Sequence, residues 1–287
     1  TGSADPTVTL VNDAPVLNPS VDPSLTAIAE DTADANNAGT SVSAIVVDGS
    51  ITDEDGSPVE AIYVTAVDET NGSWQFSTDS GSSWEAIDFT GSNDGKGLLL
   101  DATDAVRFKP NADFNGSAGL TFGAWDKSSG SAGNYVDVSS AGADTAFSSA
   151  TDTASITVND APEVSSIAVD QSGPTNADSL TFSVVFDESV NGVDTTDFAV
   201  TGSGDVTDVS GSGSGYTATV SGGGLDDLNG DVSLELVDDD SITNINGVSL
   251  GGDGTTGSSD GGLKSSSITM DNTAPTLSID DPIETDD

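Results

Sequence analysis

The chain contains no cysteine and no histidine. Disulfides, thiolate nucleophiles, structural zinc and imidazole acid–base catalysis are thereby excluded. Bases are nearly as scarce: five lysines and arginines face 49 aspartates and glutamates, a formal net charge of −44. A surface of that sign repels phosphate backbones, so nucleic acid is excluded as a partner. No apolar run approaches the roughly 18 residues of a membrane-spanning helix, so direct membrane insertion is not expected. There is also no secretion signal and no initiator methionine, and the chain is expected to be an internal fragment of a longer secreted protein.

So large a negative charge opposes a compact state, because like charges repel. Two explanations are available: a halophilic or marine surface coat, and acids that ligate metal in the folded protein. Calcium suits the second, since it takes six to eight oxygens and an exported chain without disulfides needs another source of rigidity.

What is abundant is alternation. Candidate strands, many of them alternating, fall at Val42–Val47, Ala61–Val67, Ser73–Ser77, Ser83–Ile87, Leu98–Leu100, Ala105–Lys109, Leu120–Trp125 and Thr153–Val158. They recur again at Val164–Val169, Leu180–Phe186, Asp197–Thr201, Tyr216–Val220, Val232–Val237 and Ser265–Met270. Turn-forming stretches such as Asp53-Glu54-Asp55-Gly56 and Asn93-Asp94-Gly95 separate them, and no stretch has helical periodicity. The expected fold is all-β, two tandem antiparallel β-sandwich domains.

A short punctuation mark occurs three times: Val11-Asn12-Asp13-Ala14-Pro15, Val158-Asn159-Asp160-Ala161-Pro162 and Asp271-Asn272-Thr273-Ala274-Pro275. Proline holds its own φ and biases the preceding residue to extended geometry, so each copy reads as a stiff step between strands of successive modules. The spacings are 147 residues (Pro15 to Pro162) and 113 (Pro162 to Pro275). The expected division is 1–12 as the end of a preceding module or a cloning remnant, 13–161 and 162–275 as complete modules, and 276–287 as the start of another. Residues 127–149 are expected to be a long irregular loop, and 248–262 an exposed Gly/Ser/Thr/Asp loop.

The second module resembles the bacterial Ig-like repeats of giant RTX-type adhesins. The carrying residues are 172–182 (Ser-Gly-Pro-Thr-Asn-Ala-Asp-Ser-Leu-Thr-Phe), Val190-Asn191-Gly192-Val193-Asp194, Asp197-Phe198, 212–220 and Thr273-Ala274-Pro275. The pattern departs at 238–262. The first module resembles the cadherin-like repeats of the same surface proteins, through Gly72-Ser73-Trp74-Gln75-Phe76-Ser77, Ser82-Ser83-Trp84 and 98–116. The nonapeptide calcium repeat of the secretion region is missing, so the resemblance places this piece upstream of it.

The resemblance implies a calcium cluster in the first module at Asn12, Asp13, Glu30, Asp31, Asp53, Asp55 and Asp126. For the second module the candidates are Asn159, Asp160, Asp187, Glu188, Asp238 and Asp240, with Asp271 belonging to the next seam. Asp and Asn also cap turns with their own side chains, which is the bland reading of any one of them. Trp74 and Trp84 flank an expected hairpin and read as packing residues. A ligand surface is expected around Trp125, Asp126, Lys127, Asn134 and Tyr135, where a long loop meets a candidate metal ligand.

Paired carboxylates of glycosidase type are the one acid–base chemistry left, and no pocket-forming pattern accompanies them, so the chain is not expected to be an enzyme. The expected function is calcium-dependent adhesion at the surface of a Gram-negative cell, as a monomeric rod segment. The first module would bind a peptide or glycan on another cell and the second would be a calcium-stiffened extender. The alternative is that both modules are spacers that bind calcium alone.

Overall fold

Leu180, Phe182, Val184 and Phe186 are all buried, none more than 2% exposed, as one face of a strand lying on a core requires. The same rule organises the rest of this computed structural model, which is all-β. It describes residues 11–20, 22–30, 32–56, 59–237, 239, 241–251 and 263–276. Residues 1–10 of the preceding segment, loop residues 252–262 and residues 277–287 of the expected next module lie outside them. The chain divides between Asp160 and Ala161, inside the middle seam, into two units.

In unit 1 the strands are β1 (Val16–Leu17), β2 (Ile28–Ala29), β3 (Thr40–Ser41), β4 (Ile51–Thr52), β5 (Ala61–Val67) and β6 (Gly72–Ser77). They continue with β7 (Glu85–Ala86), β8 (Lys96–Leu100), β9 (Ala105–Pro110), β10 (Gly116–Trp125), β11 (Tyr135–Asp137) and β12 (Phe147–Asn159). One sheet has the order β11-β8-β5-β10-β12-β2, a second β3-β9-β6-β7, and β1 pairs with β4. Among the described residues of unit 1, the one parallel ladder is β12–β2. Between the sheets Trp74, Phe76, Val106 and Phe108 meet Ile62, Val64, Leu98, Leu100, Leu120 and Phe122. Trp74 is fully buried, and its Nε1–H donates to the Asp68 carbonyl at 2.9 Å.

The six-stranded sheet is also covered on its other face. Ala61, Tyr63 and Leu99 point there and pack with Trp125, Ala146 and Phe147 into a second core. This is why residues 61–64 and 98–100 are apolar without alternation: both of their faces are inside. The cover is the segment 127–149, which was expected to be irregular. It supplies β11 to the sheet edge, and Val136, Val138 and Ala141 to the second core. Backbone bonds from Gly133 N to Leu99 O (2.8 Å) and from Leu99 N to Asn134 O (3.0 Å) close it down. Gly123 makes room for the Tyr63 ring, since a Cβ there would sit 2.3 Å from it.

One expected strand is absent. Residues Val42–Ile45 form a single helical turn, α1, with Val42 and Ile45 buried on one side. The ladder itself gives the reason. Ser41 pairs with Ala105, the first residue of β9, so beyond Ser41 the chain meets a turn in place of a strand: Val42 N–H donates to Asp104 O (2.8 Å), Ser43 N–H to Ala102 O (3.0 Å), and Val46 N–H closes the helical turn on Val42 O (2.9 Å).

Unit 2 contains β13 (Val164–Val169), β14 (Ser179–Asn191), β15 (Phe198–Thr201), β16 (Asp205–Ser221), β17 (Asn229–Leu236), β18 (Thr243–Asn244) and β19 (Ile268–Asp271). One sheet is β13-β14-β16, with β18 added along β14, and the other is β15-β17-β19. A single core joins them, built on Leu180, Phe182, Val184, Val232, Leu234 and Met270. The β14–β16 register slips between Val185 and Val190, placing Asp187 and Glu188 in a bulge.

Candidate functional site

The first seam is positioned by β1 and β4. Val16 pairs with Thr52 and Leu17 with Ile51, antiparallel. Continuing that register outward sets Asp13 opposite Asp55, in the turn that follows β4. The Asp13 N–H donates to Asp55 Oδ2 at 2.5 Å, and Asp55 N–H to Asp53 Oδ1 at 2.8 Å. Asn12, one residue earlier, reaches a different element. Its Nδ2 donates to Asp126 Oδ2 (2.8 Å) and to the Thr145 carbonyl (3.1 Å). Asp126 lies just past the end of β10, where its other oxygen accepts Ser128 N–H at 2.7 Å. Three stretches far apart in sequence therefore bring Asn12, Asp13, Asp53, Asp55 and Asp126 to one end of unit 1.

A cleft of about 420 Å³ opens beside them, lined by Asn12, Ser128, Asp137, Asp144, Thr145 and Phe147. A second, of about 300 Å³, includes Asp13, Pro15, Glu54 and Ala143. Hydrogen bonds from the Ser139 backbone and side chain hold the Asp137 carboxyl below its ordinary pKa. Asp144 and Thr145 were not among the sequence candidates. They come to the site because Ala14 N–H bonds the Ala143 carbonyl (2.8 Å), tying the seam to the covering segment. No local pattern signals that contact.

Glu30 does not join this cluster. Its N–H donates to the Asn159 carbonyl at 2.9 Å, because β2 runs parallel to the last residues of β12. Asp126 lies at the other end of that strand, beyond the Trp125–Phe147 pair. The 13 residues of β12 span about 40 Å at about 3.3 Å each. Glu30 instead shares the exit end with Asn159 and with Asp160, whose Oδ1 accepts Asn115 Nδ2 at 2.8 Å. Asp31 lies outside the described residues.

The proposed ligand surface is also redistributed. Trp125 is 1% exposed and its Nε1–H donates to Ser129 O at 2.7 Å, so the indole is core and offers no face to a ligand. Lys127 pairs with Asp101, and its hydrogen bond holds the Asp101 carboxyl below its ordinary pKa. Asn134 is exposed, but its carbonyl serves the Leu99 N–H. The Tyr135 hydroxyl accepts Asp88 N–H at 2.9 Å, and its ring packs edge-on against Phe89 at 5.7 Å. Of the five, Asp126 alone remains at the cleft, through Asn12.

In unit 2 the candidates are spread over both ends. Asp187 Oδ1 accepts Glu163 N–H (2.8 Å) and Glu188 Oε1 accepts Asn244 Nδ2 (3.0 Å). Asp271 accepts Thr273 N–H at 3.1 Å beside Asn229, at the opposite end of the sandwich. Asp238 and Asp240 lie outside the described residues. The sequence missed Asp197, which is fully buried and bonds Asp194 N–H (2.6 Å) and Ser241 Oγ (3.0 Å). Burial pushes its pKa up, and the nearby charges of Asp239 and Asp194 add to this. The Asp194-Thr195-Thr196-Asp197 spacing, a reciprocal capping box, was the available signal.

Every donor at the entrance end of unit 1 is an oxygen of a carboxylate, amide or carbonyl, the chemistry of a hard divalent cation. Among the described residues no three acidic side chains are gathered closely enough to hold a metal in common. The donor set fits calcium in kind, arranged as two sub-clusters joined by consecutive seam residues. Compared with known proteins, the chain matches no family model and no curated protein.

Proposed function

We propose that this chain is a two-module segment of an extracellular adhesin on a Gram-negative cell, with calcium held at the entrance end of unit 1 and a ligand taken in the adjoining cleft. The observation that carries the reading is the bonding of seam residues Asn12 and Asp13 to Asp126 and Asp55, beside a cleft of about 420 Å³. Calcium supplies the positive charge that lets the acids approach one another; the side chains of Asn12, Asp13, Asp53, Asp55 and Asp126 would hold it. Each fixes a stretch that otherwise repels its neighbours: the seam, the turn after β4, and the end of β10. Asp137, Asp144 and Thr145 line the cleft, where they would contact the hydroxyls or amides of a glycan or peptide. Unit 2, whose described residues form a single core, serves as the extender.

The spacer alternative is favoured by one observation, that no three described acids are gathered around a single point. Calorimetry of the whole chain with calcium and with chelator tests the metal. A melting temperature unmoved by calcium up to about 10 mM, well above the range typical of extracellular modules, sinks the calcium reading. Peptide and glycan arrays probed in calcium test the ligand. Binding that is lost in Asp144→Ala supports the cleft, and blank arrays with a calcium-dependent melting temperature leave the spacer.

A further inference from the structure

The outer face of the four-stranded sheet in unit 1 carries a further cleft, which shares no residue with the acid cluster. Val106 and Phe108 point into the core, so Arg107 between them points outward, opposite Gln75 in the ladder. Even so it is only 6% exposed. Its Nε donates to Gln75 Oε1 (2.8 Å), and Nη1 donates to the carbonyls of Asp34 (3.0 Å) and Asn37 (3.2 Å). The guanidinium carbon lies 4.3 Å from the centroid of the Trp84 ring. Nη2 makes no hydrogen bond among the described residues. The carboxylate nearest to it, Asp34 Oδ2, stands 3.9 Å away and is already bonded to Lys109 Nζ at 2.7 Å.

Burying a guanidinium is costly unless its donors and its charge are met. Here neutral oxygens take Nε and Nη1 and the indole covers a face, which fixes the plane of the group and leaves Nη2. Its charge is left to an exposed aspartate at long range, in a chain with 49 acids. A bidentate carboxylate is a frequent partner of a guanidinium, and none takes that role here among the described residues. Instead the group lines a cleft of about 450 Å³, together with Trp84, Asp34, Asn37, Ser80 and Gly81. Arg107 is the sole arginine, and with Lys109 it places two of the five basic residues at this spot.

We propose that this cleft binds an acidic saccharide through the carboxylate of a hexuronate unit, with Arg107 Nη2 and Lys109 Nζ as the donors to that carboxylate. The bonds at Nε and Nη1 hold the guanidinium plane, so the Nη2 N–H groups are directed donors to a carboxylate oxygen. The cleft's volume suits one or two sugar rings. Its rim is small and polar (Ser80, Gly81), which suits hydroxyls and offers little to a peptide side chain. Asp34 competes for both cations and is displaced by the ligand.

The chain's single arginine gives one Nε–H resonance, and that proton is held by Gln75, so NMR of the whole protein reads the site directly. Digalacturonate is titrated into the ¹⁵N-labelled chain in calcium. The expected result is a saturable shift of the Arg107 Nε–H and of the Trp84 indole N–H, identified by Trp84→Phe, with no shift from neutral galactobiose. Asp34→Ala, an exposed site that spares the core, is expected to tighten digalacturonate by about threefold, the scale of a partly exposed ion pair. Absence of any shift, an equal shift with galactobiose, or weaker binding in Asp34→Ala overturns the proposal. A short peptide with a free carboxylate that shifts both resonances as strongly as the sugar overturns the saccharide assignment.

Discussion

Both units bury short alternating strands in a two-sheet sandwich, yet they use the chain differently. Unit 2 is content with one core, and most of its β14 side chains alternate cleanly in and out. Unit 1 buries part of its larger sheet on both faces, using the 127–149 segment as a second layer. That added layer is also what brings Asp137, Asp144 and Thr145 beside the seam and opens the cleft. The basic residues follow the same division: Lys96, Arg107, Lys109 and Lys127 in unit 1, against Lys264 in unit 2. Once a sandwich is complete, further apolar segments become the means of building a concave surface on it.

The strongest way to break this comparison is to remove the second core. Trp125→Ala should destabilise unit 1 by about 3–5 kcal/mol, the range for truncating a buried aromatic, and leave the unfolding of unit 2 unmoved. Urea denaturation followed by NMR of the methyl groups of each unit would read both. A loss below about 1 kcal/mol would make the covering segment an ornament.

Calcium sharpens the comparison next. At about a hundredfold excess over its dissociation constant, a bound ion should stabilise unit 1 by about 2.7 kcal/mol. The double variant Asp55→Asn, Asp126→Asn should lose that increment, whereas Thr196→Ala in unit 2 should keep it. Isothermal titration and melting curves on the same samples check this. An unchanged response in the double variant would move the ion elsewhere.

The two units should also differ in their response to acid. In unit 2, burial raises the folded-state pKa of Asp197. Its ionised form therefore costs stability at neutral pH, and the cost is relieved as the pH falls through that folded value toward the ordinary value of about 4. In unit 1, the hydrogen bond from Lys127 lowers the pKa of Asp101. Its contribution is present above the ordinary value and is lost as the pH falls through the lowered one. Stability of unit 2 measured against pH should therefore rise less on acidification in Asp197→Asn than in the parent chain. Equal slopes would remove Asp197 as the source.

The smallest effect is expected from Lys127→Met, which removes a half-exposed ion pair with Asp101 worth about 0–1 kcal/mol. Loss of ligand binding in this variant, with stability kept, would return Lys127 to the binding surface.

The legible parts of the fold were those governed by local alternation. Residues 61–67 and 164–169 are strands with the bounds read from the sequence, and Leu180 to Phe186 face inward as their spacing requires. Residues 42–47 were misread because Val and Ile suit a strand and their i, i+3 spacing also suits one helical turn. The missing partner beyond Ala105 decided between them. The 127–149 segment looked irregular because its few apolar residues are spaced by the sheet face they cover, and not by any period of their own. The site was half legible. The Asn-Asp seam and the Asp53–Asp55 turn could be named as metal candidates from the sequence, but not their mutual bonding. Glu30 was grouped with them although a whole strand length lies between.

The sequence by itself determined the all-β class, the position of the middle seam, the excess of acid and the absence of sulfur and imidazole chemistry. Each follows from composition or from nearest neighbours along the chain. Only the tertiary structure decided which acids meet, that Trp125 is core, and that Arg107 lies beneath Trp84 with Nη2 left to line a cleft. Those outcomes depend on strand register and on the direction of a parallel pairing, which bring together residues separated by as many as 133 positions. No local pattern carries that information, because many registers satisfy the same alternation.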